Sequence, residues 1–330
     1  MITCKPSSEH PLHWKKLFAK SYIGAKEFSH LAENSLISDT ELDKINSLFP
    51  IQISREYLEN HPISGPVLRQ YLPDAQELLQ HSDDSIDPVG DNIAALQPGV
   101  IKKYKHRVLL ITNNTCPIHC RYCFRKDFSY PASHPRSHQF KDALAYCSQD
   151  DSIHEVILSG GDPLSLEDDL LSHLFRALEK IPHIRTLRLH TKFPSVFPQR
   201  ITPDLLTSLT ECTLNKVIVF HINHPDEINE SFCDVVQKIK RTNTTALNQS
   251  VLLKNVNDDS KVLIDLSHKL FSTGILPYYL HKLDSARGTH HFRVSEQKAD
   301  QIMQQMKVSL PGYLVPKLAR EIAGQESKSY

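Results

Sequence analysis

EVILSGGDPLSLEDDLLSHLFRALEKIPHIRTLRLH, residues 155–190, reads as a strand, a helix and the strand that opens the next unit. Residues 155–159 (EVILS) and 185–190 (RTLRLH) have strand character, and 164–180 between them is helix-like. The same alternation runs outward from this stretch. Before it stands 107–112 (RVLLIT), and after it come 216–221 (KVIVFH), 246–250 (ALNQS) and 277–281 (PYYLH), with helix-like segments at 202–214, 229–241 and 260–273. From the second strand onward the starts fall 30, 31, 30 and 31 residues apart. A period near 30 is the length of one strand–helix unit with its crossover. Six such units predict an α/β fold whose parallel sheet curls into a partial (β/α)6 barrel of TIM type. An open doubly wound sheet is the alternative, but no Gly-x-Gly-x-x-Gly follows any strand. We divide the chain into an N-terminal helical segment (1–100), the barrel (101–300) and a short C-terminal extension (301–330).

The remaining composition fits that reading. At 330 residues the chain is long enough for one large α/β domain and an appended segment. Thirty-eight Lys plus Arg balance 38 Asp plus Glu, so no global field draws the protein to nucleic acid or anionic lipid. The opening MITCKPSSEHPLHWKKLFAK has no apolar core of signal-peptide length, and no stretch reaches the roughly 18 apolar residues of a membrane span. The expectation is a cytoplasmic protein with reduced thiols. In the first segment Trp14, Leu17 and Phe18 suggest one helix face. Ser38-Asp-Thr-Glu41 is a capping box ahead of Leu42, Ile45 and Leu48. Residues 81–91 are acidic and polar, and a boundary falls around 95–105, at Gln97-Pro-Gly99.

The chemistry gathers where the strands end, the face on which barrel enzymes build their sites. Seven cysteines (Cys4, Cys116, Cys120, Cys123, Cys147, Cys212, Cys233) are an odd number, and three crowd into Cys116-Pro-Ile-His-Cys120-Arg-Tyr-Cys123, directly after the first strand. Metal is a better reading of that pattern than disulfides. An iron–sulfur cubane normally takes four thiolates; three leave one iron open, as catalytic metal sites require. A zinc site using His119, or three buried structural cysteines, are the rival readings. Ser159-Gly160-Gly161-Asp162-Pro163 follows the second strand, and its glycines let backbone approach a ligand closely. The other strand ends are polar too: His221-Ile-Asn-His224, Asn248-Gln249-Ser250 and Asp284.

The C-x3-C-x2-C spacing, with Tyr122 before the third cysteine, resembles the radical S-adenosylmethionine superfamily. That resemblance implies a [4Fe–4S] cluster on Cys116, Cys120 and Cys123, with S-adenosylmethionine on the open iron. It also implies S-adenosylmethionine contacts from Ser159, Gly160, Gly161, Asp162 and Gln249, and reductive cleavage to a 5′-deoxyadenosyl radical. Ile181-Pro-His183, Pro198-Gln-Arg-Ile-Thr202, His221-Ile-Asn-His-Pro225, Asn248-Gln-Ser-Val-Leu-Leu253, Pro277-Tyr-Tyr279 and Gly312-Tyr-Leu-Val-Pro316 narrow it to the lysine 2,3-aminomutase family. Cys120-Arg-Tyr-Cys-Phe-Arg125 and residues 312–322 (GYLVPKLAREI) are most similar to its short bacterial branch, which makes β-lysine for elongation factor P.

The resemblance implies pyridoxal phosphate, with Lys328 as the lysine that carries it and Lys317 as a weaker rival. Lys103, Tyr104 and Arg107 sit where the family's phosphate contacts lie. Arg125 matches the arginine for the substrate carboxylate, and a planar guanidinium suits a bidentate grip. Asp284 and Glu321 match the two acids for the ε-ammonium of L-lysine, although the long members carry Asp at the second position. The implied partners are an electron donor of flavodoxin or ferredoxin type and an elongation factor P ligase that takes the product. Only Ser329 and Tyr330 follow Lys328. Related short members continue further and long ones carry a zinc-binding tail, so neither structural zinc nor an intertwined dimer is expected. Two other classes of function fit parts of the pattern: a pyridoxal-independent radical enzyme acting on a protein or nucleic acid, and a non-catalytic cluster protein that senses iron or oxygen.

Overall fold

Alternation along each strand decides which side chains face the helices and which face the barrel lumen. In Glu155–Ser159, Val156 and Leu158 are buried against helices, while Ile157 and Ser159 point inward. The computed structural model describes residues 13–25, 27, 37–62, 65–130 and 138–330. Its strands are β1 (Tyr22–Ile23), β2 (Ile53–Ser54), β3 (Ala95–Gln97), β4 (Val100–Tyr104), β5 (Arg107–Ile111), β6 (Glu155–Ser159), β7 (Thr186–Thr191), β8 (Asn215–His221), β9 (Thr244–Val251), β10 (Leu276–His281) and β11 (Lys317–Ala319). The main sheet runs in sequence order from β3 to β11. From β5 to β11 every pairing is parallel, and β3 and β4 add antiparallel strands at the front edge. The six expected strands are all present, shifted by at most two residues. The two antiparallel strands and β11 extend the sheet beyond them.

The longer helices are α1 (His13–Ser21), α2 (Asp39–Leu48), α3 (His138–Gln149), α4 (Asp168–Glu179), α5 (Pro203–Glu211), α6 (Glu230–Lys240), α7 (Ser260–Thr273) and α8 (Glu296–Ser309). From α3 on they cover the outside of the barrel. In α4, Leu171, Leu174, Phe175 and Leu178 are buried. At about 1.5–3 kcal/mol for each large apolar side chain, packing outweighs propensity differences of a few tenths per residue. Pro277, which has no N–H to give a neighbouring strand, falls at a register shift in β10, and both Tyr278 and Tyr279 line the lumen beyond it. Lys103 on β4 reaches Glu321, just past β11, at 2.7 Å, so side chains close the gap between the sheet's two edges.

The N-terminal segment has its own small core of Ile23, Leu42, Ile45, Ile53, Tyr57, Leu68 and Tyr71 with a two-stranded β1–β2 sheet that the sequence pattern did not reveal. The capping box forms, with Ser38 N–H donating to Glu41 at 2.9 Å. Leu17 and Leu48, expected on buried faces, are exposed, while Trp14, Phe18, Leu42 and Ile45 are buried. Cys147 and Cys212 are buried in the helix-side core, Cys233 is half-buried, and Cys4 lies outside the described residues. Among the described residues no helix is long and apolar enough to cross a membrane.

Candidate active site

The cysteine loop leaves the end of β5 and is gripped by the N-terminal segment. Gln52 Nε2 donates to the Cys116 carbonyl at 2.6 Å, and the amides of His119 and Arg121 donate to the carbonyls of Gln52 and Gln70. Ile118 plugs into the N-terminal core. Arg121, between the last two cysteines, is fully buried and forks onto Glu77, Nε to Oε1 at 3.0 Å and Nη2 to Oε2 at 2.6 Å. A bidentate pair of this kind fixes the loop's geometry.

Burial pushes the three thiols above their ordinary range, Cys120 to about 11, and Cys123 and Cys120 push the Cys116 thiol further up. Among the described residues no three His, Cys, Asp or Glu side chains converge on a single ion. A cubane instead spreads its thiolates over separate irons. His119 does not join them: its Nδ1 sits 2.8 Å from the Pro50 carbonyl and its ring stacks on Phe49. The donor set fits a three-thiolate cluster and not a zinc site completed by His119.

The glycine motif after β6 lies directly against this loop. Gly161 N–H donates to Asn113 O at 2.8 Å, Asp162 N–H to Thr115 O at 2.7 Å, and Asn113 Nδ2 to Asp162 O at 2.9 Å. A Cβ on Gly161 would meet the Thr115 backbone at 2.4–2.7 Å, and Gly160 has φ +120°. The glycines are thus required by backbone packing. The Asp162 carboxylate is occupied. It accepts from Thr191 Oγ1 and from the amides of Leu164, Lys192 and Phe193, although burial still raises it to about 6. It has no oxygen turned to a ligand ammonium; what the motif offers a ligand is Ser159 and backbone. Asn223, His224, Asn248 and Ser250 likewise spend their side chains on protein groups, Asn223 Nδ2 donating to Gln70 and Tyr122 and Asn248 and Ser250 bonding the Ile222 backbone, whereas His221 and Gln249 hydrogen-bond each other inside the lumen.

The lumen itself is a cavity of about 170 Å³ whose charged walls alternate in sign. Arg125 Nε donates to Asp91 Oδ2 at 2.6 Å and its Nη1 to Ser159 Oγ at 3.1 Å. Asp91 also pairs with Lys103, Lys103 with Glu321, and Glu321 with Lys328. The opposing cations hold the Asp91 and Glu321 carboxyls below their usual range against the raising effect of burial. Asp284 stands beside this chain and forms no ion pair among the described residues; burial first, then the Glu321 charge, raises it to about 7, against the lowering effect of Lys328 and Lys103. Lys103 is therefore engaged with carboxylates, not with the expected phosphate. Arg107, stacked over Tyr104 at 4.3 Å, pairs with no carboxylate among the described residues and faces the lumen. That unpaired guanidinium and the cavity-lining Lys328 amine fit a phosphorylated aldehyde cofactor. Lys317 is exposed and lies over the Tyr330 ring, outside the cavity.

Sequence reasoning missed Asp91, which sits in a polar loop with no motif around it, and Arg188, which lines the cavity and pairs with Glu155. Alternation in β7 was the signal that places Arg188 inward.

Residues 110–266 match the family model described as Radical SAM superfamily. The chain is 44% identical over 285 residues to a Haemophilus influenzae protein named L-lysine 2,3-aminomutase, covering 86% of this chain and 84% of that one. A protein of the same name from Escherichia coli is 40% identical over 301 residues, covering 90% and 87%. One from Buchnera aphidicola is 37% identical over 337 residues, covering 100% and 98%.

Proposed function

The chain belongs to the radical S-adenosylmethionine superfamily and, within it, to the L-lysine 2,3-aminomutase family, and from that premise we propose that it moves the α-amine of L-lysine to the β carbon, with pyridoxal phosphate held on Lys328. It is an isomerase by membership, and the family's cofactors are a [4Fe–4S] cluster, S-adenosylmethionine and pyridoxal phosphate. Bound together, these groups supply a radical that takes hydrogen from the substrate and a π system across which nitrogen moves.

The observation that carries the proposal is the cluster of Lys328, Glu321 and Asp284 in one lumen. The Lys328 ammonium now occupies Glu321. With cofactor present that amine would hold it, and Glu321 and Asp284 would offer two acids to one incoming ammonium in the same cavity. Arg125, oriented by Asp91 and Ser159, has its Nη2 unbonded among the described residues, and we assign it the substrate carboxylate. Arg107 takes the phosphate. Cys116, Cys120 and Cys123 hold the cluster, and Ser159, the Gly160–Gly161 backbone and Gln249 form the wall for S-adenosylmethionine. The low-potential electron donor, the cytoplasmic setting and delivery of β-lysine to an elongation factor P ligase extend the same reading by likeness to the short branch. The test is reductive incubation of the reconstituted enzyme with labelled L-lysine. Labelled β-lysine with 5′-deoxyadenosine is expected; 5′-deoxyadenosine without β-lysine overturns the substrate.

A further inference from the structure

His190 lies on β7 with its ring in the lumen, and none of the roles assigned above uses it. Its Nε2 is shielded from water and has no hydrogen-bond partner. A buried polar atom left unpaired is costly and calls for an explanation. Several other side chains carry such atoms, but among the described residues His190 is the one that also lines the cavity.

The surroundings say what would satisfy it. Leu158 pairs with Leu189, so His190 sits beside Ser159, the residue whose Oγ accepts from Arg125. Two positions back along the same face is Arg188, tied to Glu155 by Nε to Oε1 at 3.0 Å. The His221 ring is 6.2 Å away, centroid to centroid, and is engaged with Gln249. Burial and the charges of Arg188, His221, Arg125 and Lys328 all disfavour a proton that would make the ring cationic. A neutral imidazole carries one N–H, and in a positive field the ligand atom it best meets is an anionic oxygen.

We propose that His190 donates Nε2–H to an oxyanion of the bound ligand, either the amino-acid carboxylate or the cofactor phosphate, as a binding residue of this pocket. The proposal rests on the aminomutase reading. A neutral donor on a charged acceptor is worth about 10- to 100-fold in affinity.

The test compares wild type, His190→Ala and His190→Gln, full chain with the cluster reconstituted. Two ligand pairs separate the oxyanions: L-lysine against cadaverine on pyridoxal-loaded enzyme, and pyridoxal phosphate against pyridoxal on the stripped enzyme, each titrated by visible absorbance. If the partner is the carboxylate, His190→Ala weakens L-lysine about 10- to 100-fold and leaves cadaverine unchanged. If it is the phosphate, pyridoxal phosphate weakens by that factor and pyridoxal does not. His190→Gln, which keeps a donor, recovers most of either loss. Unchanged affinities, or equal losses within both pairs, overturn the proposal. Borohydride reduction and peptide mapping separate the two levels of failure. A pyridoxyl group on Lys328 with unchanged affinities removes only the role of His190, while its absence from Lys328 removes the reading beneath it.

Discussion

Asp284 is the residue on which the proposed choice of substrate turns. Its carboxyl holds a proton up to about pH 7, whereas an ordinary aspartate loses it near 3.8. The folded chain therefore binds that proton more tightly than the unfolded one. This group's contribution to stability is present in acid and lost as the pH climbs through about 7. A substrate ammonium favours the ionised form, so L-lysine affinity should rise with pH across the same range, and Asp284→Asn should flatten that rise. Truncating one partner of a buried charge pair costs about 2–5 kcal/mol, roughly 30-fold to several-thousand-fold in affinity. Cluster and pyridoxal content should not change. Titrations of both proteins between mildly acidic and mildly alkaline pH check this; lysine binding by Asp284→Asn as tight as wild type would remove Asp284 from the cation's seat. The cysteines divide in the same way. Cys116→Ala, Cys120→Ala or Cys123→Ala should lose the iron, measured by metal analysis after anaerobic reconstitution. Cys147→Ala and Cys212→Ala should retain it, because those buried thiols serve as small apolar side chains.

Elements, rather than single residues, hold the cluster loop in place. Backbone from the end of β5 and backbone from the β6 turn approach so closely at Gly161 that a methyl group has no room. Gly161→Ala must push residues 113–115, and with them Cys116, away from the turn. Overpacking of this kind costs about 1–3 kcal/mol, more where backbone must yield. The expected result is a folded barrel by circular dichroism that melts several degrees lower and takes up less iron. Full iron occupancy and an unchanged melting temperature would show that the two loops move independently. At this scale much was legible. The strand–helix repeat is written in local apolar spacing, so all six strands fell within two residues of their expected places. The β1–β2 sheet, two residues per strand, and α3, which follows the cysteine loop, offered no comparable pattern.

Across the whole molecule, the alternating chain Arg125–Asp91–Lys103–Glu321–Lys328 joins the front edge of the sheet to the C-terminal tail. The tail folds back on itself, Arg320 and Ser329 each donating its backbone N–H to the other's carbonyl at 2.9 and 3.0 Å, and Tyr330 reaches the Tyr279 hydroxyl at 2.9 Å. Glu321→Gln takes the negative charge from between two cations. Hydrogen exchange at Arg320 and Ser329 should then speed up by at least tenfold while β5–β10 stay protected; unchanged protection would mean that the tail is held by its own backbone and the tyrosines alone. By itself the sequence carried the strand–helix repeat of the α/β barrel and the spacing of the three cysteines, both encoded locally, in periodicity and in a short motif. Lys328, Arg125, Asp284 and Glu321 became candidates through the family resemblance instead. Only the tertiary structure decided that Lys103 serves carboxylates, that Asp162 is spent on its own turn and the end of β7, and that Asp91 joins the site. Those outcomes depend on which charges meet inside a largely buried lumen, and Lys103 meets Glu321 across 218 positions of chain. No local pattern encodes a contact of that range, whereas burial makes it decisive, because a charge enclosed without a partner is far more costly than one in water.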